Sequence, residues 1–370
     1  MKFKDIVGNI NTIKHVRRLA DEQKMPHALL LFGNEGTAKL SLARALAQYI
    51  HCEHHTPDGD SCGTCPSCRQ HLALNHADTI YSFPIPQKGI SRDYYDLWKQ
   101  FLSENNFESY RAWQSMQNNT NSQLQIYVNE SEDILHKLNL SAFNSNYKIL
   151  IMWLPEKMNT SCANKLLKMI EEPHDDTLMI FVSDNPKELL PTIISRMQRV
   201  EIPRLSDNDI ASYLSQHHAI DSADAMAIAH SADRNITAAI ESIKHDGEST
   251  LFFDAFVDLM RKAYTRDFVG LKEWTETIAD FKREKSRRFL SYCAHLVREN
   301  FIYNLSNPNL NHLSRNEVAF STKFARFINE RNVEEIIHEF DLAESDIKGN
   351  GNPKIVLFDF TLKIAKLIRK

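Results

Sequence analysis

Residues 33–41 read GNEGTAKLS, close to the phosphate-binding pattern G-x-x-x-x-G-K-[ST]. Gly33 and Lys39 stand at the spacing at which a glycine loop wraps phosphate oxygens and a lysine reaches the terminal phosphates; Gly36 lies in the same loop. Two positions break the pattern. Ala38 replaces the second glycine, and its Cβ crowds a loop that phosphate must approach closely. Leu40 replaces the hydroxyl that holds magnesium, and Ser41 is one residue on, about 100° around a helix. These residues alone admit two readings: a nucleotide-fold loop that has lost hydrolysis, or a glycine turn ahead of a surface helix. Lys39 is correspondingly a vestigial phosphate ligand or a solvated lysine at a helix start.

Four of the six cysteines fall at Cys52, Cys62, Cys65 and Cys68, a C-x9-C-x2-C-x2-C spacing. In a chain with no secretory signal this predicts zinc rather than disulfides. The two short spacings let neighbouring thiolates converge on one metal, and Cys52 closes the tetrahedron from the end of the preceding helix. Four thiolates leave no open coordination position, so the zinc is expected to be structural. His51, His54 and His55 are competing donors nearby. Cys162 and Cys293 stand alone and read as packed helical residues. The cluster has Glu53, Asp58 and Asp60 around it and no aromatic residue, a poor surface for reading nucleic acid.

The elements that must position these groups alternate. Apolar runs of strand length occur at Ala28–Phe32, Thr79–Ile85, Lys148–Trp153 and Leu178–Ser183. Helical spacing follows the loop at Leu42, Ala45, Leu46 and Tyr49, so strand, glycine loop and helix are in the order a phosphate loop needs. This predicts an α/β domain over 1–203, with a zinc module at about 52–68. Residues 88–125 are aromatic and polar, helical in part, with a loose Asn/Gln/Ser stretch at 117–123 and no evident chemistry. After Pro203 the patterns are helical only: three short helices over 204–248, with Ser206 and Ser222 as N-caps, then longer helices over 249–370. The last begins at Asn352-Pro353, with Ile355, Phe358, Leu362, Ala365 and Arg369 following one face.

A chain that is 42% hydrophobic and 25% charged is an ordinary globular composition, and a net charge of −4 gives no global basic field for nucleic acid. No apolar run approaches a membrane span, and the start of the chain is no signal peptide, so no membrane contact and a cytoplasmic location are expected. A hydrolysing loop also needs a carboxylate at the end of a later strand to hold magnesium. On YKILIMWLPEKMN, Trp153 and Leu154 occupy those positions and Glu156 comes about three residues late, so a second component of hydrolysis is missing.

The stretches MPHALLLFGNEGTAK and CANKLLKMIEEPHDDTLMIFVSDNPKELLPTIISRMQ, with the cysteine cluster and the helical tail, resemble the delta-prime subunits of the bacterial DNA polymerase III clamp loader. The resemblance covers most of the chain; NKLLKMIEEP…TIISR is its most specific part and 88–125 the least matched. It implies an AAA+ nucleotide-fold domain with a zinc insertion, a small helical lid and a helical collar. It also implies partners: tau/gamma and delta subunits in a five-membered ring that loads a sliding clamp onto primed DNA. In that family tau/gamma hydrolyses ATP and delta-prime is a stator with an eroded site, as the defects at Ala38, Leu40, Trp153 and Leu154 would have it. The family's Ser-Arg-Cys motif, whose arginine reaches a neighbour's ATP, reads Ser195-Arg196-Met197 here. From the residue alone, Arg196 reads as a solvated arginine after a helix; it is the resemblance that favours the reach to a neighbour's ATP. The expected function is therefore that of an ATPase-inactive subunit of the polymerase holoenzyme. An active AAA+ ATPase of replication or repair is the alternative.

Overall fold

The computed structural model describes every residue except 88, 105, 106, 108, 118–122, 144, 175, 245, 282, 306–312, 314 and 350. The loose Asn/Gln/Ser stretch therefore lies mostly outside the described residues. The chain divides into two units, Met1–Ala239 and Ile240–Lys370.

The first unit is built on a parallel sheet of β1 (Ala28–Phe32), β2 (Thr79–Ser82), β3 (Lys148–Trp153), β4 (Thr177–Ser183) and β5 (Gln198–Glu201), in the order β2-β3-β4-β1-β5. Its helices are α1 (Ile10–Asp21), α2 (Lys39–Ile50), α3 (Pro66–Leu72), α4 (Tyr95–Glu104), α5 (Tyr110–Met116), α6 (Val128–Leu138), α7 (Thr160–Glu171), α8 (Pro191–Ile194), α9 (Asp207–His218) and α10 (Ser222–Ser231). The units divide within α11 (Ile236–Lys244). Successive side chains of a strand face opposite ways. Leu29, Leu31, Ile149 and Ile151 accordingly pack with Val16, Leu46, Trp98 and Trp113, while Ala28, Leu30, Leu150 and Met152 pack with Ile134, Leu166 and Ile170. Helices cover both faces, which is why β1, β3 and β4 are continuous apolar runs rather than alternating ones.

Three expectations change. β2 stops at Ser82 instead of Ile85 because Pro84 cannot donate to a ladder; Ile85 makes only an isolated bridge to Gln125. β5 has no counterpart among the expected strands, since only Val200 of its four residues is buried and an edge strand of this kind has no apolar run. Ser206 caps α9 through Asp209 as expected, but α10 starts one residue earlier than its pattern suggests: the Ala225 amide bonds to the Asp221 carbonyl, which makes Ser222 the first helical residue.

Helices α4 and α5, within the segment that shows no evident chemistry, are aromatic scaffolding. Trp98, Phe101 and Trp113 are fully buried and interlock with Phe83 and Trp153, ring centroids 4.2–5.7 Å apart. Trp113 also donates Nε1–H to the Pro84 carbonyl at 2.7 Å.

The second unit comprises α12 (Asp246–Thr265), α13 (Phe268–Ala279), α14 (Arg283–Asn304), α15 (Arg315–Phe324), α16 (Val333–Lys348) and α17 (Pro353–Leu367) around one core. Asn352 caps α17 with Pro353 in its first turn, as expected. The stripe picked out on that helix is not its buried face. Leu357, Phe360 and Ile364 fill the core, while Ile355 is 69% exposed and Leu362 37%; of the stripe only Ala365 is buried.

Trp113→Ala should cost the first unit about 3–5 kcal/mol, read as a lower denaturant midpoint. Trp113→Phe should recover most of it, keeping the ring packing and losing the bond to Pro84.

Candidate nucleotide site and metal centre

β1 and β4 are neighbours in register, Phe32 opposite Ser183, so the loop after β1 and the residues after β4 open on the same edge, where parallel α/β sheets bind ligands. The loop has left-handed backbone at Gly36 and Ala38. A Cβ at Gly36, where φ is +77°, would meet the Asn235 amide oxygen at 2.0 Å, so only glycine fits. Ala38 holds a left-handed φ of 59° as the N-cap of α2, a conformation that costs a non-glycine residue about 1–2 kcal/mol. The glycine of the pattern is gone, but its backbone conformation remains.

The loop lysine is satisfied within the chain. Lys39, with its side chain 3% exposed, pairs with Asp184 at 2.9 Å and donates to the Asn34 carbonyl and, at 3.2 Å, to Thr37. Leu40 is buried in the core. The space bounded by Gly36, Lys39, Leu40, Phe107, Trp153 and Asp184 is a cavity of about 10 Å³, room for about one water. Trp153 and Leu154 are buried at the strand end as core residues. Glu156 has a structural role instead. It accepts the amides of Asp184 (2.9 Å) and Asn185 (3.2 Å), and burial pushes its carboxyl above the usual carboxylate range. Sequence reasoning misses Asp184. It follows a strand roughly 150 residues from the loop, and only the sheet order brings it to Lys39.

Arg196 lies just beyond α8. Its Nε pairs with Glu171 of α7 at 2.7 Å, and Nη1 donates to the Thr192 carbonyl (2.7 Å) and to Ser195 (3.3 Å). The side chain is 38% exposed, so the guanidinium is held by these partners but not enclosed.

The four cysteines converge. The sulfurs of Cys52, Cys62, Cys65 and Cys68 lie within 4.8 Å of one another, with Cys62 and Cys68 3.9 Å apart. Tetrahedral zinc with bonds of about 2.3 Å sets its sulfurs about 3.8 Å apart. Backbone amides surround the sulfurs: that of Cys62 points to Cys52 (3.2 Å), those of Thr64 and Cys65 to Cys62 (3.4 and 3.3 Å), and that of Cys68 to Cys65 (3.4 Å). The Thr64 and Cys65 amides hold the Cys62 thiol down to about 5, whereas burial pushes Cys52 and Cys68 up. A dication would supply the charge that makes all four thiolates together. The set fits zinc and leaves no donor position open.

A second cluster is not evident from the sequence, although His51 is among the competing donors there. His51, His71 and His76 stack with centroids 4.3–5.1 Å apart, all buried. His51 Nδ1 lies 2.8 Å from His71 Nε2, whereas two imidazoles on one tetrahedral zinc are held about 3.3 Å apart by bonds of about 2.0–2.1 Å. His76 is engaged at both nitrogens, by Ser67 (3.1 Å) and the Asp78 amide (3.2 Å), and His51 Nε2 reaches the Tyr147 carbonyl (2.9 Å). Burial, reinforced by the neighbouring imidazoles, lowers His51 to about 4 and His71 to about 2, so the stack is neutral at pH 7. It is a hydrogen-bonded brace between the cysteine module and the sheet. His55 stacks on Tyr49, and His54 meets Cys52 only through its backbone carbonyl.

The family model described as DNA polymerase III, delta subunit, matches residues 8–206, more than half of the chain. The chain belongs to that family. The delta-prime subunit of Pseudomonas aeruginosa is 27% identical over 186 residues, 50% of this chain and 46% of the relative. That of Yersinia pestis is 30% identical over 172 residues, 46% of this chain and 39% of the relative. The tau subunit of Bacillus subtilis is 24% identical over 215 residues, 58% of this chain and 31% of the relative. The chain thus spans less than half the length of these curated relatives. Among solved structures, a gamma subunit-related protein of Thermotoga maritima superposes with a TM-score of 0.42 at 15% identity, covering 96% of this chain and 99% of that one. The DNA polymerase III delta family match ends at residue 206, so it takes in the cysteine module, the loop, Asp184 and Arg196. Among the described residues no helix is long and apolar enough to cross a membrane.

Metal analysis of the purified protein should give about one zinc per chain, not two. Cys65→Ser should lose it, and His71→Ala should keep it while lowering the melting temperature.

Proposed function

We propose that this chain is a non-hydrolysing, delta-prime-type subunit of a DNA polymerase III clamp loader. It would work in the cytoplasm as the stator of a ring with tau/gamma and delta subunits that loads a sliding clamp onto primed DNA. In this reading residues 1–203 are an AAA+ module carrying a structural zinc, 204–248 a lid and 249–370 a collar. The carrying observation is the Lys39–Asp184 pair in a phosphate pocket with room for about one water. An ATPase needs that lysine on phosphate and a magnesium ion held by a hydroxyl and a carboxylate. Here the lysine is satisfied internally, Leu40 stands in the hydroxyl position, and Glu156 binds backbone. Gly33, Gly36 and Lys39 are then a vestigial loop, and the alternative of an active ATPase has no metal site to work with.

Tau and delta-prime subunits among the relatives support the assignment to this complex. The exposed Ile355 and Leu362 on α17 give the collar reading an outward apolar face. Arg196, with Ser195 beside it, is the residue through which this chain would act on a neighbour's ATP. A planar, permanently charged guanidinium can grip a terminal phosphate, and Glu171 holds this one in a half-exposed position from which it can be released.

The test is reconstitution of the ring with Arg196→Ala. Assembly and zinc content should be unchanged, while DNA-dependent ATP turnover and clamp loading fall. An arginine finger is worth about 10³–10⁵ at its own site, diluted in total turnover by the other motor sites, so loading should fall further than hydrolysis. Arg196→Lys should rescue poorly, because the ammonium loses the planar fork. Wild-type loading by Arg196→Ala would reduce Arg196 to a solvated helix-end residue.

A further inference from the structure

Among the described residues between α4 and α5, Phe107 is the one whose side chain borders both spaces of the nucleotide cleft. It walls the small cavity beside Lys39 and Trp153. It also lines a larger one of about 590 Å³ that runs past Ala38, Ser41 and Arg44 to Asp209 and Tyr213 of α9. The ring is 7% exposed. It meets the Tyr213 ring edge-on, centroids 5.1 Å apart at 89°, and Tyr213 stacks in turn on His217. The helices on either side of Phe107 are fixed to the sheet by the Trp98, Phe101 and Trp113 cluster.

We propose that Phe107 is a built-in occupant of the nucleotide cleft. It closes the emptied phosphate pocket and holds α9 to the sheet by an aromatic contact, as a bound nucleotide does where core and helical segment both touch the ligand. The chemistry of the contact favours this. The site has lost its magnesium ligands and neutralised its lysine, so the pocket no longer recruits an anion, and an apolar ring is the complement of what remains. One polar link and one packing contact run in parallel. Arg204 pairs with Asp233 at 2.6 Å and, with the Asn34 amide oxygen turned inward, reaches the loop at 2.6 and 2.7 Å; Asn235 packs on Gly36. Phe107 adds a contact on the opposite side of the cleft, at α9. The proposal rests on the closed-site reading above.

Amide hydrogen exchange on the full-length chain tests it. Phe107→Ala should speed exchange in α9 by about fivefold to tenfold, the worth of a buried edge-to-face pair, and leave α6 and α7 unchanged. Tyr213→Ala removes the contact from the other side and should give the same rise; the double variant should add no more than about twofold to the larger single effect, because the two rings act as one contact. Millimolar Mg·ATP should leave α9 exchange in the wild type unaltered. Unchanged α9 exchange in either single variant, full additivity in the double, or protection of wild-type α9 by Mg·ATP would overturn the proposal. Hydrolysis of ATP by the wild-type chain would instead overturn the closed-site reading itself.

Discussion

A strand order decides this structure. Because β4 lies beside β1 in a parallel sheet, Asp184 emerges next to the phosphate loop and meets the lysine at its end. Removing one partner of a buried ion pair costs about 3–5 kcal/mol, because the other charge is left uncompensated; Asp184 is 27% exposed, which reduces the figure here. Any phosphate entering the loop would have to displace a carboxylate already in place, with no magnesium ligand to offset the displacement. The remaining changes follow one direction. Leu40 and Trp153 go to the core, Glu156 to backbone amides, and Phe107 to the space left over.

One rigid element joins the two centres. Helix α2 begins at Lys39 and ends at Ile50, and Cys52 follows its C-cap. Its 12 residues span about 18 Å, so the thiolate cluster and the loop are fixed at the two ends of one rod, nearly all of it buried. At the far end the neutral histidine stack ties α2, α3 and the approach to β2 together, and His51 fastens them to the segment before β3 through the Tyr147 carbonyl. A metal there would stiffen the helix that presents the loop without taking part in any reaction. The stator role proposed for this chain would need that kind of stiffness.

What the sequence discloses depends on how local the physics is. The loop, the cysteine spacing, β1 and β3 are encoded in short stretches, and they stand in the structure where the residues predict them. Asp184 and Phe107 meet partners far along the chain, and His71 and His76 form their stack only once His51 joins them from about 20 residues away, so no local pattern marks them. The stripe on α17 shows the same limit from the other side. Helical periodicity identifies an apolar face but not which of two apolar faces turns inward, and here Leu357, Phe360 and Ile364 took the core. Ser195 and Arg196 stand out only by resemblance; their geometry, with Glu171 as counter-ion, comes from the fold.

The central claim is that the phosphate pocket of the cleft is closed to nucleotide from within. The most direct measurement is the melting temperature of the purified chain against Mg·ATP concentration. A ligand present at about 100 times its dissociation constant stabilises the folded state by about 2.7 kcal/mol, a shift of several degrees. The account predicts a flat line to millimolar Mg·ATP in the wild type. A saturable rise that Lys39→Ala abolishes would show phosphate on that lysine and contradict it.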